Sequence, residues 1–207
     1  MAQAGRPRAT THDQVREIAR WLFREQGYAA TSMAQIARAA GISRTSLFTY
    51  FPAKGDLIWG ELDDALDRME AAIESQRGSR DVIEALRIVL QEALAFPLED
   101  HDGLAFRWQI IDTNPELLAH VEAKMAEHKS ALTDFIAAEL GLAVDDILPR
   151  LLVETTMAAT LVASRHWAAG SPDTPMSDIV LTAIDPVLRG FAPLVRSSAQ
   201  ESRQPSS

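Results

Sequence analysis

The chain has 207 residues, 47% of them hydrophobic, which is enough for one compact domain or for a small domain joined to a larger one with a real core. It contains no cysteine, which excludes disulfides and thiolate metal sites and points to a reducing compartment. The net charge of −9 argues against a polyanionic partner, but residues 1–60 carry eight Lys+Arg against four Asp+Glu (net +4), while residues 61–207 carry twelve against twenty-five (net −13). A basic head ahead of an acidic remainder is a polyanion-facing pattern, in which phosphate would attract the head and repel the rest.

The opening MAQAGRPRATTHDQ is charged with no apolar run behind it, so it is read as a polar arm over residues 1–11 rather than a signal peptide. Arg6 and Arg8 are isolated positive charges on that arm. From His12 to Gln26 the apolar positions Val15, Ile18, Ala19, Leu22 and Phe23 follow helical spacing, and Gly27 ends the run. Thr31 or Ser32 caps a second short helix with Met33, Ile36, Ala37 and Ala40 inward. Gly41 supplies a tight turn, Ser43 caps a third helix, and Pro52 closes it. In that third helix Leu47 and Phe51 serve the core, while Arg44, Thr45, Ser46, Thr49 and Tyr50 lie on faces the core does not need. Two short helices about a glycine turn, the second presenting polar side chains, is how a helix-turn-helix reads, and its natural target is the DNA major groove.

An amphipathic run from about Lys54 to Gln76 follows, broken at Gly78. Ser79 is read as the cap of a helix carrying Val82, Ile83, Leu86, Val89, Leu90 and Leu94. Pro97 to Gly103 reads as a polar turn containing His101, and 103–113 as a short helix. Asn114-Pro115 opens a helix that runs to Leu140 and stops at Gly141. Asp145 or Asp146 opens the next, which runs through Trp167 to Gly170. A last helix spans about Met176 to Phe191 with Pro186 inside it, and residues 197–207 read as a disordered tail. No stretch approaches the continuous apolar length of a bilayer crossing, so a cytoplasmic protein with no membrane contact is expected. The expected fold is all-α, with a three-helix helix-turn-helix domain over 12–53 and a larger helical ligand-binding and dimerisation domain over 54–196.

From Gly27 to Leu57 the pattern G-Y-x-A-T-S-M-x-x-I-A-x-x-A-G-I-S-R-T-S-L-F-x-Y-F-x-x-K-x-x-L closely resembles the DNA-binding domain of TetR-family transcriptional repressors. The resemblance is specific over the first quarter to third of the chain and implies an all-helical homodimer, a palindromic double-stranded operator and a small-molecule effector, with no cofactor and no metal. It places Ser32 and Met33 near the DNA backbone, and Arg44 and Thr45 at the opening of the recognition helix. Thr49 and Tyr50 fall where bases or phosphates are touched, with Ser46 beside them, and Lys54 matches a phosphate-binding lysine at the start of the next helix. Many family members have tyrosine where this chain has Phe48, so a hydroxyl-to-phosphate bond is lost there and Phe48 is expected to pack. Thr45 replaces the common glycine.

FPAKGDLIWGELD is similar to a TetR subgroup of mycofactocin-type and acyl-CoA-like ligand-binding regulators, which implies a fatty-acyl or acyl-CoA effector. Phe106, Arg107, Trp108, Ile111, Phe135, Met157 and Trp167 are the candidates to line its pocket, against the alternative that each aromatic is ordinary core. Ile147, Leu148, Leu151, Leu152, Thr155, Ala158, Ala159 and Val162, with Ile179, Val180, Ala183, Ile184, Val187 and Leu188, give the last two long helices apolar stripes suited to a homodimer. The alternatives are a DNA-binding regulator without a ligand and a small all-α enzyme. The second has little support, because no HExxH, P-loop, GxGxxG or GxSxG motif occurs.

Overall fold

The computed structural model describes residues 11–95, 101–170 and 174–201. Among them are nine α-helices, one 3₁₀ turn and no strand: α1 (His12–Gln26), α2 (Met33–Ala39), α3 (Arg44–Tyr50), the 3₁₀ turn Lys54–Leu57, α4 (Gly60–Ser75), α5 (Val82–Ala93), α6 (His101–Thr113), α7 (Pro115–Leu140), α8 (Ile147–Ala169) and α9 (Met176–Glu201). The chain divides into two compact units, Met1–Leu62 and Asp63–Ser207. Arg6 and Arg8 lie outside the described residues, as do residues 202–207.

In the first unit Thr11 opens α1 with a reciprocal cap. Its hydroxyl accepts from the Gln14 backbone N–H, and the Gln14 side chain accepts from the Thr11 N–H. The core is Val15, Ala19, Leu22, Phe23, Ile36, Ala37, Leu47 and Phe51, all buried. Each such large apolar side chain contributes about 1.5–3 kcal/mol on burial. Arg16 and Arg20 pair with Asp13 and Glu17 on their own helix, at 3.4 and 2.8 Å.

In the second unit α8 and α9 pack along each other, with α5, α6 and α7 against them. Leu86, Leu132, Phe135, Ile136, Leu152, Val180, Ile184 and Leu188 form its center. Between α4 and α7, Lys124 Nζ meets Asp63 at 2.5 Å and His128 Nε2 meets Glu70 at 3.2 Å. Lys129 donates to Glu154 at 2.8 Å, and that hydrogen bond, with Glu122 nearby, raises the lysine above its ordinary pKa.

Several boundaries differ from the sequence reading. The run from Lys54 is not one helix. Residues 54–57 tighten into a 3₁₀ turn with Asp56 N–H on Ala53 O and Ile58 N–H on Gly55 O, and α4 starts only at Gly60. Asp81, not Ser79, caps α5, because its Oδ1 accepts from both Ile83 and Glu84 N–H at 3.1 Å. The α6 helix begins at His101, inside the stretch read as a turn, and α9 runs on through Pro186 and Pro193 to Glu201, so residues 197–201 are helical rather than tail. Finally, α8 does reach the length and composition of a bilayer-crossing helix: 23 residues with a mean hydropathy of 1.3 in its most apolar window, contrary to the expectation that no stretch would. Its contacts with α9, α7 and α6 account for one apolar face.

Candidate nucleic-acid interface

The turn ahead of α3 depends on Gly41, whose φ of +67° lies in the left-handed region. A side chain there would meet nothing within 4 Å, so the demand is on backbone conformation and not on room. Ser43 then caps α3, accepting from the Ser46 N–H at 3.0 Å, and the two serine hydroxyls lie 2.8 Å apart. Ser46 is half-buried and its hydroxyl belongs to this cap network.

The helix buries Leu47 and ends on buried Phe51. Its other side is exposed: Arg44, Thr45, Phe48 and Thr49 line one shallow concavity. Arg44 is exposed, and among the described residues its guanidinium has no hydrogen-bonding or ionic partner. Thr49 donates its hydroxyl proton to Thr45 O at 2.9 Å. The Tyr50 ring is 45% exposed and is steadied by His12, ring centroids 4.7 Å apart. Phe48 was expected to pack, yet it is 42% exposed. The sequence signal for that was available: four residues after Arg44 puts it on the same helix face.

At the start of α2, Ser32 and Gln35 make a capping box, with Ser32 N–H on Gln35 Oε1 at 2.8 Å and Gln35 N–H on Ser32 Oγ at 3.3 Å. Ser32 is exposed and Met33 half-buried. Thr31, buried just before them, donates to Gly27 O at 2.8 Å and so closes the loop between α1 and α2.

Lys54 opens the 3₁₀ turn rather than a long α-helix, because α4 begins six residues later. Its ammonium turns into the first unit, donating to Tyr28 O at 2.8 Å and Thr31 O at 3.1 Å, 4.0 Å from the centre of the Tyr28 ring. It holds the loop that delivers Ser32.

In the second unit the seven pocket candidates fall into two sets. Ile111, Phe135 and Trp167 are buried, and the Trp167 indole donates to Thr174 O at 2.7 Å. Phe106, Trp108 and Met157 are half-buried, and Arg107 is buried beside the first two on α6. Arg165 of α8 stands 5.2 Å over the Trp108 ring and pairs with Asp112 at 2.8 Å. Neither of the two described concavities is lined by these seven residues.

Residues 15–58 match the family described as "Bacterial regulatory proteins, tetR family", and residues 80–192, more than half of the chain, match the MftR C-terminal domain. The chain belongs to the TetR family. As a TetR-family protein it is a DNA-binding transcriptional regulator rather than an enzyme, and repression and dimerisation are typical of its relatives. Among these, the Mycobacterium tuberculosis protein MftR, whose name ties it to mycofactocin biosynthesis, is 28% identical over 166 residues, covering 80% of this chain and 84% of that one. The fatty acid degradation regulator FadR of Bacillus halodurans shares the fold with a TM-score of 0.61 at 21% identity, over 90% of this chain and 99% of that one. FadR of Thermus thermophilus, solved in complex with lauroyl-CoA, does so with a TM-score of 0.52 at 22% identity, over 87% and 95%.

Proposed function

We propose that this TetR-family chain is a cytoplasmic, ligand-responsive repressor that binds a palindromic operator as a homodimer. A small hydrophobic effector of the fatty-acyl or acyl-CoA class would release it. The observation that carries the DNA half is the outward strip of α3, with Arg44 lacking an internal partner on a head of net charge +4. In this role Arg44 takes guanine O6 and N7, a contact worth about 1–3 kcal/mol of discrimination. Thr45 and Thr49 lie against bases, and Ser32, Met33, Ser46 and Tyr50 against the sugar-phosphate chain. Lys54 enters through the loop it holds rather than through a phosphate of its own.

Dimerisation through α8 and α9 draws support from the apolar surface a single protomer leaves uncovered. The stripes read in the sequence split in two. Leu152, Val180, Ile184 and Leu188 serve the protomer's own core, while Ile147 and Val162 are 74% and 67% exposed and Leu151 lies open beside them. Ala158, Ala159, Val162, Ala163, His166, Ile179 and Ala183 form a largely apolar hollow on that face. A second copy would cover it isologously, and a two-fold dimer calls for a two-fold operator.

The effector class rests on the fold neighbor that holds lauroyl-CoA and on the half-buried set Phe106, Trp108 and Met157 beside Arg107. An effector acts only through a difference in affinity between the two states of the repressor. The test is selection of duplexes from a random pool by the full chain, followed by mobility shifts with lauroyl-CoA. The expected outcome is an inverted repeat whose complex lauroyl-CoA dissolves. Enriched sites without two-fold symmetry would remove the dimeric reading. A complex indifferent to acyl-CoA of any chain length would favor a regulator without this ligand.

A further inference from the structure

We propose that Phe48 is a specificity-determining residue that reads the C5-methyl group of a thymine about two base pairs from the base pair Arg44 contacts. The proposal rests on α3 being the DNA-facing helix, and it deepens that reading.

The observation is an aromatic side chain that the protomer leaves unused. Among the first unit's other rings, Phe51 lies buried beneath the Arg16 guanidinium, 5.6 Å from its ring centre, Phe23 and Tyr28 pack at 5.1 Å, and Trp21 of α1, which is exposed as well, does not line the α3 concavity. Tyr50, exposed on the same helix, leans on His12. Phe48 has no ring or cationic neighbor among the described residues, yet it shares its concavity with Arg44, Thr45 and Thr49. An apolar ring on the presented face of this seven-residue helix, set among polar side chains that line the same concavity, is available to an apolar group outside the protomer.

Major-groove chemistry narrows that partner. Phosphates and the base-edge donors and acceptors all favor polar side chains. The thymine C5-methyl is the one apolar group the four bases offer there, and phenylalanine is among the side chains that meet it. A tyrosine at this position could instead give its hydroxyl to a phosphate, but a phenyl ring cannot. Thr49 does not change the balance, because its hydroxyl proton is committed to Thr45 O. Four helical residues from Arg44 to Phe48 advance about 6 Å along the axis, which spans about two base pairs at 3.4 Å each when the helix lies along the groove. Burying one methyl group against the ring is worth about fourfold in affinity.

The test uses the full chain and the duplexes it recovers from a random pool. Each thymine is replaced singly by deoxyuridine, which removes the methyl alone, and dissociation constants are measured for the wild type, Phe48→Ala, Phe48→Leu and Arg44→Ala. The expected result is one thymine per half-site, within about two base pairs of the position where Arg44→Ala loses its preference, whose replacement weakens the wild type about three- to tenfold. The same replacement should leave Phe48→Ala unaffected and Phe48→Leu partly affected. A wild type indifferent to every deoxyuridine overturns the proposal, as does a Phe48→Ala protein that remains sensitive at that thymine. If Arg44→Ala still loses its preference in either case, α3 stands as the reading helix and only the role of Phe48 falls. A pool that yields no enriched sequence overturns both.

Discussion

Replacing Lys54 by methionine separates two roles for one charge. Methionine keeps most of the aliphatic stem and deletes the ammonium, which in the structure donates to Tyr28 O and Thr31 O at 2.8 and 3.1 Å and stands 4.0 Å from the centre of the Tyr28 ring. Hydrogen bonds to a charged group are worth about 1.5–3 kcal/mol when buried. Lys54 is only half-buried and the two carbonyls would regain water, so the pair falls toward the lower end of that range, with about 0.5–1 kcal/mol more from the ring. The variant should lose about 2 kcal/mol of local stability between α1 and α2, which corresponds to about thirtyfold faster amide exchange. The Thr31 N–H, bonded to Tyr28 O at 3.2 Å, reports on this loop directly. Operator affinity should fall because Ser32 and Met33 are less firmly placed, yet the slope of log affinity against log salt should not change. A lysine that neutralises a phosphate would instead take about 0.9 out of that slope. Unaltered exchange together with a slope reduced by about one would refute the internal role and restore Lys54 as a phosphate contact.

Arg44→Ala should cost about 1–3 kcal/mol on the preferred site and nearly nothing on random DNA, flattening the selected motif at one base pair per half-site; a motif unchanged on reselection would remove Arg44 from base readout. Val162→Asp puts a carboxylate on exposed α8 surface, so the circular dichroism of the protomer should stay fully helical. Sedimentation should then show monomers at micromolar concentration, with operator affinity down about a hundredfold as the second half-site ceases to be tethered, and an intact dimer would place the interface elsewhere. Asp81→Ala should destabilise α5 by about 1 kcal/mol in urea titration through loss of two capping bonds, whereas Ser79→Ala should change little, its hydroxyl donating only to Asp81 O at 3.3 Å. Equal effects at both positions would contradict that cap assignment.

Most of the first unit was legible from the chain alone because its determinants are local. The cap at Ser32, the turn at Gly41 and the spacing of Val15, Ala19, Leu22 and Phe23 all act within a few residues, whereas the equally local Thr11–Gln14 capping box opens at Thr11, in the stretch read as a polar arm. The candidate reading strip was equally visible, since residues 44, 45, 48 and 49 share a helix face by periodicity; the assignment of Phe48 to packing went against it, and Ser46 and Tyr50, read onto the presented faces, do not line it. Short-range pattern served less well at helix boundaries where two caps compete. Asp81 wins over Ser79 by accepting two N–H groups, and residues 54–57 close as a 3₁₀ turn although their apolar spacing continues a helix.

The sequence by itself determined that the chain is helical, that a glycine turn presents Arg44 on a basic head, and that the last two helices carry apolar stripes. The tertiary structure decided where the Lys54 ammonium goes, which half of each stripe the protomer keeps, and that Phe48 stays open. Helix periodicity and capping are satisfied within one or two turns, so they are written in adjacent residues. The partner of a charge or the cover of an apolar face comes from elements as distant as the 26 residues between Lys54 and Tyr28, and exists only once the chain has folded back on itself.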